Sequence, residues 1–516
     1  MKKIPHKLAL LIALIIFSSC QKNFLELNPE GRINTENFYN SPVDFQQALT
    51  GAYVPLRDIA NVAFFMDEMR SDNSRYDYDP KDRGGIAYEQ LADFLDNSQN
   101  GVIGTRYAAA YNGISRCNVI LDRLETISFT MAEADKKQIT GEAKALRAHY
   151  YFDLVRHYGA LPLHLHEVKS IAESRLRRTA VDTVYMQVIK DFSDALTLLK
   201  PPNKFPQSGR VTKGMAATEL ALVYMTRKEW DKAIPLLQSV SAMGYALMDN
   251  YGDVFSLSNK NGIESIFEVQ YKSGTDGQSG PFIYRFVPIR NTLVTLGLDY
   301  NNSLGGWNIP TEDIISNYEN NDKRLNVSIG VVEGIINKSA DFTPTRVANF
   351  VGYNPTPGTT YRLFVKKYYH YPYTQVPSRT EYFAPENWPV FRFSDALLML
   401  AESLNEKGRG GEALPYLNRV RARAGLADIT AADQPTLRAL IAKERRTELA
   451  FENKRWLDLV RTGEAITTMT RYGNQAKRKF SYLLDASYDV TENRLIFAIP
   501  FREVQLNSLL TQNPGY

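Results

Sequence analysis

The feature that most constrains this chain is a helical periodicity that occurs twice at matching length. In residues 212–243, Ala217, Leu220, Ala221 and Tyr224 recur at spacings of three and four, which places them on one helix face. After a short turn, Ala233, Leu236, Leu237 and Val240 form a second face. Residues 392–424 repeat the design: Ala396, Leu397, Leu400, Ala401 and Leu404, a turn through 408–411, then Ala413, Leu417, Val420 and Ala424. Each is an antiparallel helix pair of about 32 residues, close to the tetratricopeptide (TPR) period but without its full signature. Small alanines between large residues let such helices approach closely and stack. The pattern predicts a mainly α fold on a TPR-like helical-pair scaffold.

Further helices are expected after Ser41-Pro42, with Phe45, Leu49 and Ala52 as the inner stripe and Ser41 as a cap, and over 103–125, 132–158, 175–200 and 436–462. Residues 66–100 read as loop. Residues 245–390 break the helical pattern with Gly and Pro punctuation and short strand-like runs such as 265–270. They predict a second, irregular, loop-rich subregion carrying short strands. The chain therefore divides into a leader (1–19), a tether (20–40), an N-terminal helical region (41–244), the irregular subregion (245–390) and a C-terminal helical region (391–516).

The leader sets the compartment. Lys2, Lys3 and Lys7 precede or open an apolar run over residues 8–17, followed by Ser18, Ser19 and Cys20. Ten residues would span about 15 Å as a helix, roughly half a bilayer core, so this is secretory architecture and not a membrane span. Phe17-Ser18-Ser19-Cys20 resembles the bacterial lipobox, although Phe17 stands where an aliphatic residue is usual; Cys20 is expected to be cleaved and acylated, palmitate included, holding the protein on outer-membrane lipid. The other cysteine, Cys117, shares a helical stripe with Ile103, Tyr107, Ile114 and Leu124 and is expected in the core. With Cys20 acylated, no intrachain disulfide can form. The formal charge of +4 falls close to neutrality once the leader lysines leave, and no basic run survives, which argues against a nucleic-acid partner.

Catalytic signatures are missing. There is no phosphate-cradling glycine loop, no dinucleotide fingerprint, no zinc-protease motif and no nucleophile elbow. His164 and His166 lack the partners that would complete a metal site. Asp72, Asp77, Asp79 and Asp82 fail the calcium-loop pattern, because Lys81 and Arg83 occupy positions wanting oxygen and glycine. No catalytic residue, metal or cofactor is expected. Glu444, Arg445 and Glu448 are expected to form a structural ion network, with Trp456 filling a helix junction.

Several segments together resemble the SusD/RagB family of Bacteroidota. They are Gly-Glu-Ala-Lys-Ala-Leu-Arg-Ala-His-Tyr-Tyr-Phe-Asp-Leu-Val-Arg-His-Tyr-Gly-Ala-Leu-Pro-Leu at 141–163, and the runs at 393–405, 417–425, 444–461 and 499–516. These marks cover essentially the whole chain after the leader. Asn453 stands where glycine is common, and Ser508 follows Asn507 where the tail usually reads Asn-Pro. The resemblance implies a surface lipoprotein that is not an enzyme, that binds a glycan or oligosaccharide, and that delivers it to a SusC-like TonB-dependent outer-membrane barrel. A binding lipoprotein for peptide or another non-sugar nutrient is the alternative, and a membrane-anchored glycosidase a third.

The 30 tyrosines and 25 phenylalanines often fall in loops rich in Asn, Gly and Pro. A sugar ring offers a C–H face for stacking and hydroxyls at its edge, so aromatic residues among planar polar groups are the expected ligand site. Two loops combine both: Asp72, Asn73, Arg75, Tyr76 and Tyr78, and Trp307 with Asn308 after Gly305-Gly306. Tyr284 is a weaker candidate, and Trp388 is expected to pack.

Overall fold

The computed structural model describes residues 38–81, 85–274, 276, 278–299, 301–339, 341–373 and 384–516. Cys20 and Asp82 lie outside them.

The N-terminal half is built of helices α1 (Pro42–Tyr53), α2 (Pro55–Ala63), α3 (Ile86–Ala92), α4 (Gly101–Glu125), α5 (Glu133–Tyr158), α6 (Val181–Leu198), α7 (Lys213–Thr226) and α8 (Trp230–Ser241). Pro42 opens α1, but Ser41 does not cap it: Asp44 accepts both the Asn40 N–H (3.0 Å) and the Ser41 hydroxyl (2.8 Å). Asn100 caps α4 by accepting the Val102 N–H, and Thr212 caps α7 at the Met215 N–H. α6 starts six residues later than the periodicity suggests, because Thr179 is drawn into a bridge with Leu161 and Ala180 is extended. Cys117 is fully buried on α4, and burial pushes its thiol up to about 12.

The middle of the chain carries the strands. β1 (Ser265–Val269) pairs antiparallel with β5 (Trp388–Arg392), while β2 (Ile329–Ile336) lies between β3 (Phe342–Asn349) and β4 (Thr360–Val365), all antiparallel. The C-terminal helices are α9 (Phe393–Glu406), α10 (Gly410–Arg423), α11 (Gln434–Glu448), α12 (Arg455–Thr462) and α13 (Ala465–Lys479). The pair α7–α8 packs on the pair α9–α10, chiefly through α8 against α9. One continuous hydrophobic cluster runs from Phe45 in α1 to Leu510, crossing all three bodies of the composition-based division. Among the described residues, no helix is long and apolar enough to cross a membrane.

The expected helix over 436–462 is two helices, α11 and α12, and α13 follows them. Phe451 and Asn453 break it, with left-handed φ of 65° and 60°. The break is made by tertiary partners: the buried Glu68 carboxylate accepts the N–H groups of Phe451 (2.9 Å) and Asn453 (3.0 Å).

Glu444 and Glu448 share one face of α11 and both accept from Arg324, at 2.5 and 3.1 Å. Glu448 also meets Arg392 (2.9 Å) and Arg423 (2.5 Å), and Arg392 continues to Glu264 (2.7 Å) and Glu452 (2.8 Å). Burial alone would raise the Glu448 carboxyl, but Arg423, Arg392 and Arg324 hold it well below the carboxylate range. Arg445 does not join Glu448. One step round the helix, it faces the other way, toward Asp395 (2.7 Å) and Asp458 (3.2 Å). The network thus ties the residue before β1, the segment before β2, β5, α10 and α11 together.

Candidate functional site: an aromatic surface on two joined loops

The two loops singled out in the sequence are joined to each other. Ser74 and Arg75 pair antiparallel with Pro310 and Ile309, and the Asp77 N–H donates to the Gly306 carbonyl (2.8 Å). Gly306 permits this approach: its φ is +83°, and a Cβ there would stand 3.3 Å from that of Asp77.

The joining turns several predicted ligand residues inward. Asp72 is fully buried and accepts from Arg455 at 2.7 and 3.0 Å and from Arg446 at 3.1 Å. Burial would raise its carboxyl, yet these arginines hold it below the ordinary value. The Asn73 amide donates to Glu68 (2.8 Å) and accepts from Arg446 (2.8 Å). Tyr76 donates its hydroxyl to Asp93 (2.8 Å), and burial followed by Asp93 pushes that hydroxyl far up. Tyr284 and Asn308 are buried as well. These five side chains belong to the interior and offer a ligand no face.

Arg75, Tyr78 and Trp307 remain half-buried at the surface. Trp307 is wedged: its ring meets Phe65 and Tyr88 edge-on, with centroids 5.7 and 5.1 Å away. Gly85 lies against it so closely that a Cβ there would come within 2.3 Å of the indole. Only part of this ring can meet a ligand.

Tyr78 is differently placed. It stacks on Tyr482, with centroids 4.0 Å apart and planes 3° from parallel. The Arg75 guanidinium sits 3.3 Å from the Phe480 centroid and 5.6 Å from that of Tyr482. On either side of Tyr78 in the chain, Asp79 pairs with Arg290 (3.1 Å) and Asp77 with Arg362. Burial pushes the Asp77 carboxyl up, against the pull of Arg362 and then Arg75. Phe480 and Tyr482 were missed in the sequence. Their signal was the same one used elsewhere, aromatics in a polar loop, here after α13.

Three of the aspartates weighed for calcium, Asp72, Asp77 and Asp79, are arginine partners, and among the described residues no group of three His, Cys, Asp or Glu could hold a metal ion. His166 meets Asp122 at 3.0 Å, while Asn118 donates to the carbonyls of His164 and His166. Rings beside hydrogen-bonding groups can bind and orient a ligand.

Two family models match, the "SusD family" over residues 263–516 and "Starch-binding associating with outer membrane" over residues 23–225. The chain belongs to the SusD family. SusD-like protein P2 of Formosa agariphila is 26% identical, with the alignment covering 100% of both chains. Among solved structures, a laminarin-binding SusD-like protein is 27% identical, superposes with a TM-score of 0.74, and is matched over 93% of this chain and 100% of its own. Surface glycan-binding protein A from Bacteroides thetaiotaomicron in complex with laminarihexaose, 23% identical, shares the fold with a TM-score of 0.71, over 91% of this chain and 98% of its own. The mainly helical scaffold with paired helices and a strand-bearing subregion is thus the SusD fold.

Proposed function

We propose that this protein is a lipid-anchored outer-membrane binding protein that captures a glycan at the cell surface and passes it to a SusC-like TonB-dependent barrel. The observation that carries the ligand class is the Tyr78–Tyr482 stack beside Arg75, with the Asp77–Arg362 and Asp79–Arg290 pairs next to Tyr78 in the chain. A pyranose can lay its C–H face on such a ring while its hydroxyls reach the charged groups. The likeness to a laminarin-binding relative points the same way. We read the α7–α8 and α9–α10 pairs as a TPR-like scaffold, the 245–390 subregion as the source of Arg290, Arg362 and the Trp307 loop, and the protein as non-catalytic. A panel of polysaccharides and peptides tests the reading: a polysaccharide should be bound and recovered unshortened. Binding of peptides alone would replace the ligand class, and shortened products would make the protein an enzyme.

The anchor has its own test. Cys20→Ala should abolish metabolic palmitate labelling and release the protein from the outer membrane. Undiminished labelling and globomycin-sensitive processing in the variant would refute lipidation at Cys20.

A further inference from the structure

Tyr371, at 53% exposure, is the most exposed aromatic side chain among the described residues. Its neighbours are held by several contacts. Tyr369 lies behind it, centroids 6.2 Å apart and planes 21° from parallel, and is itself wedged by Phe364 (5.3 Å) and Tyr373 (6.4 Å). The Tyr373 hydroxyl donates to the Tyr368 carbonyl (2.9 Å) and accepts the His370 N–H (2.8 Å), while the Tyr373 N–H donates to the Leu296 carbonyl (3.0 Å). The two rings border an open groove of about 880 Å³ along β3, whose polar side includes Thr345, Asn349, Lys366 and His370. A ring held open by a built support, facing a polar wall in a groove and not a closed cavity, suits a chain of linked sugar rings.

A short chain segment links the groove to the first aromatic surface. Arg290, which pairs with Asp79 next to Tyr78, begins a short segment whose Val294 lines the groove. Gly297, at its end, packs on Tyr371: a Cβ there would stand 3.4 Å from the ring. One stretch of eight residues, 290–297, therefore runs from one aromatic surface to the other.

We infer that the Tyr369–Tyr371 groove is a second carbohydrate subsite, engaging a more distant part of the same glycan chain that lies on Tyr78 and Tyr482. This rests on the glycan-binding reading above. Two linked contacts on one ligand make binding steeply dependent on chain length, because the second contact forms at high effective concentration. A long polymer gains from both surfaces and a short oligosaccharide from one.

The test is affinity gel electrophoresis of the mature chain in laminarin, pullulan, xylan and galactomannan gels. It is followed by titration with the polysaccharide that retards it most and with that polymer's hexasaccharide (laminarihexaose for laminarin). Tyr371→Ala should lower affinity for the polymer about tenfold, leave hexasaccharide affinity within about twofold, and leave the melting temperature unchanged. Tyr371→Phe, which keeps the ring, should retain most polymer binding. Equal polymer affinity in wild type and Tyr371→Ala would overturn the second subsite while the first reading stands. Equal loss of polymer and hexasaccharide in a folded Tyr371→Ala protein would also overturn it, making Tyr371 part of the first surface. Retardation in none of the gels would count against both readings.

Discussion

Glu448→Ala is expected to destabilise the protein by about 3–5 kcal/mol, enough to threaten folding outright. The glutamate is fully buried and receives three guanidinium groups, from Arg324, Arg392 and Arg423. Removing it takes away the carboxylate the three cations share, leaving Arg324 on Glu444, Arg392 on Glu264 and Glu452, and Arg423 on Glu264 alone, and breaking a buried ion network by deleting one partner costs far more than the intact pair contributes. Glu448→Gln should be nearly as severe, since it keeps the shape and loses the charge. Urea unfolding at neutral pH reads the effect. A midpoint within experimental error of wild type in either variant would mean that these charges are not sealed from water.

Trp456→Ala should cost about 3–5 kcal/mol for a different reason, the cavity left by a large ring. Trp456 is 1% exposed and anchors a small cluster separate from the main core, with Leu459, Met469 and Tyr488. Its indole meets Phe94 edge-on at 5.5 Å and lies 5.4 Å from the Arg70 guanidinium, which is itself paired with Asp96. This cluster touches the ligand surface at its edge, where Phe480 packs against it, whereas Trp456 itself meets Phe94 and Arg70, so the folded fraction should bind an oligosaccharide much as wild type does. Unchanged unfolding with weakened binding would move Trp456 from support to recognition.

The helices were legible wherever their stabilisation is local. The stripe in 101–125 and the alanine-rich pairs announce themselves through spacing alone. Legibility ended where a distant group imposes the conformation. The break at Phe451 and Asn453 answers to Glu68, hundreds of residues away, and its one local mark is faint: Asn453, where glycine is common, tolerates a left-handed φ. The site behaves likewise. Loop composition found the two segments that join, yet could not tell Asp72, neutralised by Arg455, from Tyr78, which stays at the surface on Tyr482. Polar residues in a loop read as exposed until their buried partners are known.

Calorimetric titration of Tyr482→Ala with the oligosaccharide selected by the panel shows whether a glycan lies on the Tyr78–Tyr482 surface. The ring is half-buried at the surface, so its loss should leave the melting temperature close to wild type. Affinity should fall about thirtyfold, the effect of removing a stacking aromatic worth about 2 kcal/mol. A folded Tyr482→Ala protein that binds the same oligosaccharide with undiminished affinity would contradict the account.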